Sequence, residues 1–199
     1  KLERKVSPAD NSCLFNAIGE LVEFPSYNKQ PGKYRDMVAN YLDTHREFYT
    51  VDMLDGKEVD DYIKWIRSKD KWGGEIEVSI LASLLGVEIA VVDIRTNNTL
   101  IYGQDQHYDK RIFLLYDGVH YDALVRMRGS SALCCVFSAA DQSVCTEAAQ
   151  LAAELRKQRQ FVDLAAGQML CGVCMSVFAG EKEAVEHAKL TGHQNFSLA

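Results

Sequence analysis

Cys171, Cys174, His187 and His193 follow the spacing C-x2-C-x12-H-x5-H, and no other pattern in the chain restricts its fold as strongly. The spacing matches a tetrahedral Cys2His2 zinc site. Two cysteines on a tight turn offer both thiolates to one side, while the histidines project inward from a following helix. Phe178 and Ala184 fall where such a unit keeps its small core. A segment of about thirty residues buries too little surface to fold alone, so the metal supplies folding energy. Side chains fill all four coordination positions, so the expected Zn2+ is structural. Of six cysteines and five histidines, four fall in this register, which argues against a chance surface cluster.

A Cys2His2 finger raises the question of DNA. The predicted helix carries Glu181, Glu183 and Glu186 where a major-groove reader places Arg, Asn or Gln. The formal net charge is −6, without the basic stripe that a phosphate backbone requires. Nucleic acid is therefore not an expected partner, and protein contact or stapling is the better reading. No apolar run approaches the roughly 18 residues of a membrane span, and no membrane association is expected. The N-terminal KLERKVSPADNS lacks the apolar core of a signal peptide and an initiator Met, so the chain is expected to begin inside a longer product. Cysteines without a secretory signal read as reduced thiols and metal ligands. A cytosolic or nuclear location follows, with cytoplasmic as the expectation.

Before the finger, periodicity predicts helices first and strands later. Leu14, Ala17, Ile18, Leu21 and Val22 recur at helical spacing, with Asp10 or Asn11 as N-cap. Residues 33–49 put Tyr34, Met37, Val38, Tyr41 and Leu42 on one stripe, and 60–67 suit a short helix. Trp72-Gly73-Gly74 makes a turn into an amphipathic helix that Gly86 closes. VEIAVVDI, at 87–94, suits a buried strand, and 95–110 reads as polar loop. Residues 111–116 form a strand, Asp117-Gly118 a tight turn and 119–125 the returning strand. A last strand covers 132–138. A helix from 141 to about 161 buries Val144, Ala148, Leu151, Ala152 and Leu155. This order fits α/β and α+β alike.

Outside the metal quartet stand Cys13, Cys134, Cys135 and Cys145, with His45, His107 and His120. Cys134 and Cys135 lie in an apolar strand and read as small hydrophobes, Cys145 has no polar neighbour of note, and His45 is solvated or partly packed. Cys13 differs, because it is expected at about the third position of a helix. The unpaired N–H groups and positive dipole end of that turn favour a thiolate and can hold an oxyanion. Asp10 can fix those donors in place. A buried helix-start residue is the plainer reading. A thiolate nucleophile needs an imidazole within reach and a third group to orient it. His120 stands at a strand end, and Asp122 shares its face because strand side chains alternate. His107 heads the same tripeptide, His-Tyr-Asp, in a polar run that belongs to solvent.

PADNSCLFNAIG, WGGEIEVSILASLLGVEIAVVD and LLYDGVHYDAL together resemble the ovarian-tumour (OTU) superfamily of cysteine deubiquitinases. The C-terminal CGVC…H…TGH resembles the subfamily that ends in a Cys2His2 finger. The resemblance covers nearly the whole chain. It implies an α/β, papain-like fold, a central sheet flanked by helices, with a small C-terminal ββα-type zinc finger. It divides the chain into a catalytic domain at 1–140, a linking helix at 141–165 and the finger at 166–199. It implies hydrolysis of isopeptide bonds between a ubiquitin C-terminus and lysine. Cys13 matches the nucleophile, His120 the general base, Asp10 the acidic position linked to the oxyanion hole and Asp122 the third triad position. Loops near 7–17, 67–77 and 116–120 are implied to contact ubiquitin, with Val119 lining the channel for its tail. Residues near 135–140 are implied to touch a second ubiquitin. Trp72, Gly73 and Gly74 suit the same channel, since glycines permit close backbone approach, while a helix-entry turn with a packed indole is their other reading. The implied partners are ubiquitin and polyubiquitin chains, with no cofactor for catalysis and a monomeric state. A hexameric quality-control ATPase joins them only if a ubiquitin-like domain lies upstream. A deconjugase for a ubiquitin-like modifier and an idle ubiquitin-binding adaptor are the alternatives.

Overall fold

In a computed structural model, which describes residues 1–128, 132–162, 167–193 and 195–198, the later half of the chain supplies most of one mixed sheet. Its strands are β1 (Leu2–Lys5), β2 (Glu88–Asp93), β3 (Thr99–Tyr102), β4 (Lys110–Tyr116), β5 (Tyr121–Arg128), β6 (Ala132–Cys134) and β7 (Phe137–Ser138). Their order is β1-β5-β4-β2-β3, with β6 on β5 and β7 on β4. Only β2 and β4 run parallel among these pairs, and the central strands carry apolar residues toward both faces. Ile89, Val91, Ile112 and Leu114 pack toward the helices α1 (Cys13–Val22), α2 (Pro31–Thr44), α3 (Val59–Arg67) and α4 (Glu75–Leu85). Their neighbours Ala90, Val92, Phe113 and Leu115 pack toward α5 (Gln142–Lys157). Each large side chain taken fully from water, such as Phe15 or Phe113, contributes about 2–3 kcal/mol. The architecture is α/β, with the sheet flanked by helices.

Several elements differ from the sequence expectation. The polar start hides β1, which pairs antiparallel with β5 and buries Leu2 to 1% exposure. The 95–110 loop contains β3, which pairs with β2 at the sheet edge and leaves Leu100 exposed. The second helix ends at Thr44, and a short 3-10 turn over Arg46–Phe48 follows. The expected strand 132–138 breaks at Cys135–Val136 into two short pairings. The helix α5 sits in the segment expected to link two units, yet Val144, Ala148, Ala152 and Leu155 make it one wall of the first unit's core. The boundary expected at 165/166 lies outside the described residues, as does the Glu181 side chain. Gly86 closes α4 at φ 62° as anticipated.

The C-terminal unit consists of β8 (Met169–Cys171), β9 (Val177–Phe178), α6 (Glu181–Thr191) and β10 (Phe196–Leu198). The third strand, β10, adds to the expected ββα pattern by pairing with β8, with Ser197 opposite Leu170. Among the described residues, no helix is long and apolar enough to cross a membrane.

Candidate active site and metal centre

Cys13 is the first residue of α1, not the third, and is 6% exposed. The N-cap is Ser12, without a side-chain cap bond, so Asp10 does not cap the helix in the expected way. Asp10 works one turn earlier. Its Oδ1 accepts the Ser12 N–H at 3.0 Å, and both its oxygens accept Asn16 Nδ2 at 3.1 Å. Asn16 Oδ1 in turn accepts from the Tyr27 hydroxyl at 2.8 Å. These bonds fix the loop before Cys13, and the first-turn N–H groups of α1 have no acceptor within the helix.

His120 is the last residue of the loop between β4 and β5, so the turn spans 117–120 and is wider than the two-residue form expected. Asp117 shapes it. Its Oδ1 accepts the N–H groups of Val119 and His120 at 3.1 and 2.8 Å, and its own N–H donates to the His120 carbonyl at 3.2 Å. Gly118 takes φ 111°, and a Cβ there would meet the Val162 carbonyl oxygen at 2.6 Å. Both constraints require glycine.

The imidazole of His120 lies between two groups. Cys13 acts on it electrostatically, and Nε2 stands 3.2 Å from Asp122 Oδ1. That second approach is off-axis, because Nε2 has no well-aligned hydrogen bond, and it is best described as an ion pair. Burial of the ring works to lower its pKa, but Asp122 and Cys13 outweigh it and raise the value from 6.5 to about 10. Asp122 is 1% exposed. Burial works to raise its pKa, but the ion pair with His120 and the bonds from the Ser7 N–H (2.7 Å) and Arg4 Nε (2.6 Å) hold it below the usual carboxylate range. Arg4 also reaches Asp117 Oδ2 at 3.5 Å. Sequence reasoning gave Arg4 and Ser7 no role toward Asp122, since no spacing links them to a residue more than a hundred positions away.

A cleft of about 220 Å³ opens over Cys13, lined by Trp72, Gly73, Gly74, Gly118, Val119 and Tyr121 among others. Leu170 and Ser197 of the C-terminal unit line it too, a contribution that sequence gave no sign of. Trp72 is part-buried and donates through Nε1 to Asn11 Oδ1 at 2.7 Å. A Cβ on Gly73 would meet Leu14 and Phe15 at 2.8 and 2.9 Å, so packing against α1 already requires this glycine. Gly74 is the N-cap of α4 and donates its N–H to Glu77 Oε2 at 2.7 Å. Val136, Phe137 and Ser138 line a different, open groove of about 750 Å³ with Lys33 and Glu23.

The other candidates sit elsewhere. His107 is exposed at φ 55° in the loop before β4, and His45 stacks on Tyr41 at 4.0 Å. Cys135 is buried. Cys145, expected without a polar neighbour, accepts from Arg111 Nη1 at 3.0 Å, where Arg111 also pairs with buried Glu88 at 2.6 Å.

In the C-terminal unit the ligand atoms of Cys171, Cys174, His187 and His193 lie within 4.8 Å of one another. Cys171 Sγ is 3.6 Å from His193 Nδ1, Cys174 Sγ is 3.3 Å from His187 Nε2, and the two ring nitrogens are 3.2 Å apart. Tetrahedral zinc, with bonds of about 2.0 Å to nitrogen and about 2.3 Å to sulfur, separates its ligands by about 3.3–3.7 Å. Three of the ligand pairs stand close to such separations, and two thiolates with two imidazoles are a donor set that Zn2+ takes. Ala184 is buried, and the Phe178 ring packs tilted against His187, 4.8 Å between centroids.

Residues 8–123 match the model of the family described as OTU-like cysteine protease, and 166–199 match the C-terminal C2H2-type zinc finger of ubiquitin thioesterase OTU1. The chain is 41% identical to the ubiquitin thioesterase OTU1 of Danio rerio over 98% of its own length and 65% of that protein's. It is 42% identical to the OVARIAN TUMOR DOMAIN-containing deubiquitinating enzyme 2 of Arabidopsis thaliana, over 97% of this chain and 95% of that one. The chain thus spans about two thirds of the animal relative and nearly all of the plant one. A solved OTU domain in complex with ubiquitin superposes with a TM-score of 0.72 at 30% identity, covering 81% of this chain and 90% of that one. The chain belongs to the OTU-like cysteine protease family.

Proposed function

We propose that the chain is a thiol-dependent deubiquitinase that cleaves the isopeptide bond between a ubiquitin C-terminus and a lysine amine. The observation that carries this reading is His120 set between Cys13 and buried, ionised Asp122. Its relatives support the substrate, since the plant protein it matches end to end is a deubiquitinating enzyme, and the superposing OTU domain holds ubiquitin.

In this mechanism the Cys13 thiolate attacks the carbonyl carbon of the terminal glycine. The oxyanion forms at the start of α1, where backbone N–H groups held in place by Asp10 stabilise it. His120, charged beside Asp122, gives its proton to the lysine nitrogen as the C–N bond breaks. A thioester remains on Cys13. His120 then takes a proton from water, the hydroxide attacks the thioester carbon, and the ubiquitin carboxylate leaves as the thiolate re-forms. The cleft beside Trp72, Gly73, Gly74 and Val119 takes the ubiquitin tail. Cys171, Cys174, His187 and His193 hold a structural Zn2+, which stabilises a unit too small to fold unaided.

Incubation with ubiquitin bearing a thiol-reactive electrophile at its C-terminus tests the reading. The expected result is a single covalent adduct, lost in Cys13→Ala and kept in Cys145→Ala. Folded protein that forms no adduct would overturn it.

A further inference from the structure

We propose that Arg35, on α2, is a positioning residue that locks the loop before Cys13 to the loop carrying Trp72 and Gly73, so that oxyanion donors and substrate channel form one rigid body. The proposal rests on the function proposed above. The guanidinium is 2% exposed and touches three separate segments. Nη1 donates to the Ile66 carbonyl at 2.9 Å, at the end of α3. Nη2 spreads its two hydrogens over the Asn11 carbonyl at 2.8 Å, Ser12 Oγ at 3.0 Å and the Lys71 carbonyl at 2.6 Å. The same group lies over the Phe15 ring of α1 at 4.4 Å.

Every one of those acceptors is a neutral oxygen. Among the described residues no carboxylate pairs directly with Arg35, and Glu77 and Asp10 act on it only at longer range. A buried cation without an ion partner is costly for stability, so this arrangement is poorly explained as a fold staple. Its planar fork, however, reaches several carbonyls in fixed directions, which a lysine ammonium does not. What it joins is telling. Asn11 and Ser12 immediately precede Cys13, and Asn11 sits at φ 60°, an uncommon conformation for a residue with a side chain. Lys71 immediately precedes Trp72, whose indole returns to Asn11 Oδ1. Gly73 then packs on Leu14 and Phe15, and Glu77 holds the Gly74 N–H. The loop of 71–74 is thus tied at each step either to the cysteine loop and α1 or to α4. A displacement of about 1 Å at such a point costs about 100-fold in rate.

The test compares the unaltered 199-residue chain with Arg35→Lys and Arg35→Ala. With ubiquitin carrying a C-terminal fluorogenic amide, Arg35→Lys is expected to lose about 100-fold in kcat, with KM changed less than about threefold. Alkylation of Cys13 by iodoacetamide, which uses neither oxyanion donors nor channel, is expected to keep its rate and pH profile. Amide hydrogen exchange is expected to quicken together in residues 9–13 and 69–74, while β4 and β5 keep their protection. Arg35→Ala is expected to show the same pattern at lower stability. Unchanged kcat in Arg35→Lys, parallel losses of turnover and alkylation, or exchange that quickens throughout the chain or in only one of the two loops would overturn the proposal. Absence of ubiquitin turnover in the unaltered chain would instead sink the substrate reading, and the exchange arm would still decide the role of Arg35.

Discussion

Asp122→Asn removes one charge and almost no volume, so it isolates what that carboxylate does for His120. The rise of the His120 pKa from 6.5 to about 10 corresponds to a preference for the charged ring of about 5 kcal/mol. Asp122 and Cys13 supply this preference against the burial of the ring, and Asp122 comes first between them. Losing roughly half of it, about 2.5 kcal/mol, brings the ring down by about two pH units, to near pH 8. The alkaline limb of kcat/KM is therefore expected to move down by the same amount, because acylation needs the proton on His120. The amide also turns a donor toward either Arg4 Nε or the Ser7 N–H, both of which now donate to the carboxylate. Breaking this buried pair costs about 3 kcal/mol of stability, which urea unfolding measures separately. The sign of the pH dependence follows from the direction of the shift. A ring whose folded pKa is raised gives stability that is complete below 6.5 and lost as pH rises through about 10. Unaltered protein should therefore lose stability between those values, and Asp122→Asn should show a shallower decline. A folded Asp122→Asn protein whose alkaline limb stays near pH 10 would refute the reasoning.

The two His-Tyr-Asp copies separate in the same assay. His120→Ala should abolish turnover, while His107→Ala, in an exposed loop, should change kcat/KM less than about twofold. Gly118→Ala should lose more than about 1 kcal/mol in urea unfolding, because its Cβ meets the Val162 carbonyl and its φ is 111°. Turnover should fall with it, since the same turn presents His120, and a neutral substitution would remove the argument for the turn. Metal analysis should find one zinc per chain, lost in Cys171→Ser. Stripping the metal should open residues 167–198 to proteolysis and raise KM, because Leu170 and Ser197 line the Cys13 cleft. A metal-free chain that resists proteolysis throughout would refute the structural role of zinc.

What was legible in the sequence was local. The C-x2-C and H-x5-H spacings, the helix stripe behind Cys13 and the apolar run of β2 all read through periods of a few residues. The strands β1 and β3 were not legible, for a physical reason. An edge strand has one solvated side, so Leu2-Glu3-Arg4-Lys5 offers a single buried Leu2 and Thr99–Tyr102 leaves Leu100 exposed. The groups that hold the site were hidden for a second reason. Arg4 meets Asp122 across 118 positions and Arg35 meets Lys71 across 36, distances over which neither helical nor strand periodicity carries information. Composition made them look like ordinary surface charges, whereas Arg35 is buried and Arg4 is half-buried against a buried carboxylate. Leu170 and Ser197 are the extreme case, since a unit recognised only by its metal ligands reaches the cleft of another through residues with no chemistry of their own. The two residues expected as nucleophile and base, Cys13 and His120, could be picked out from residue type and local setting. The orientation of that pair depends on side chains whose partners only the fold supplies.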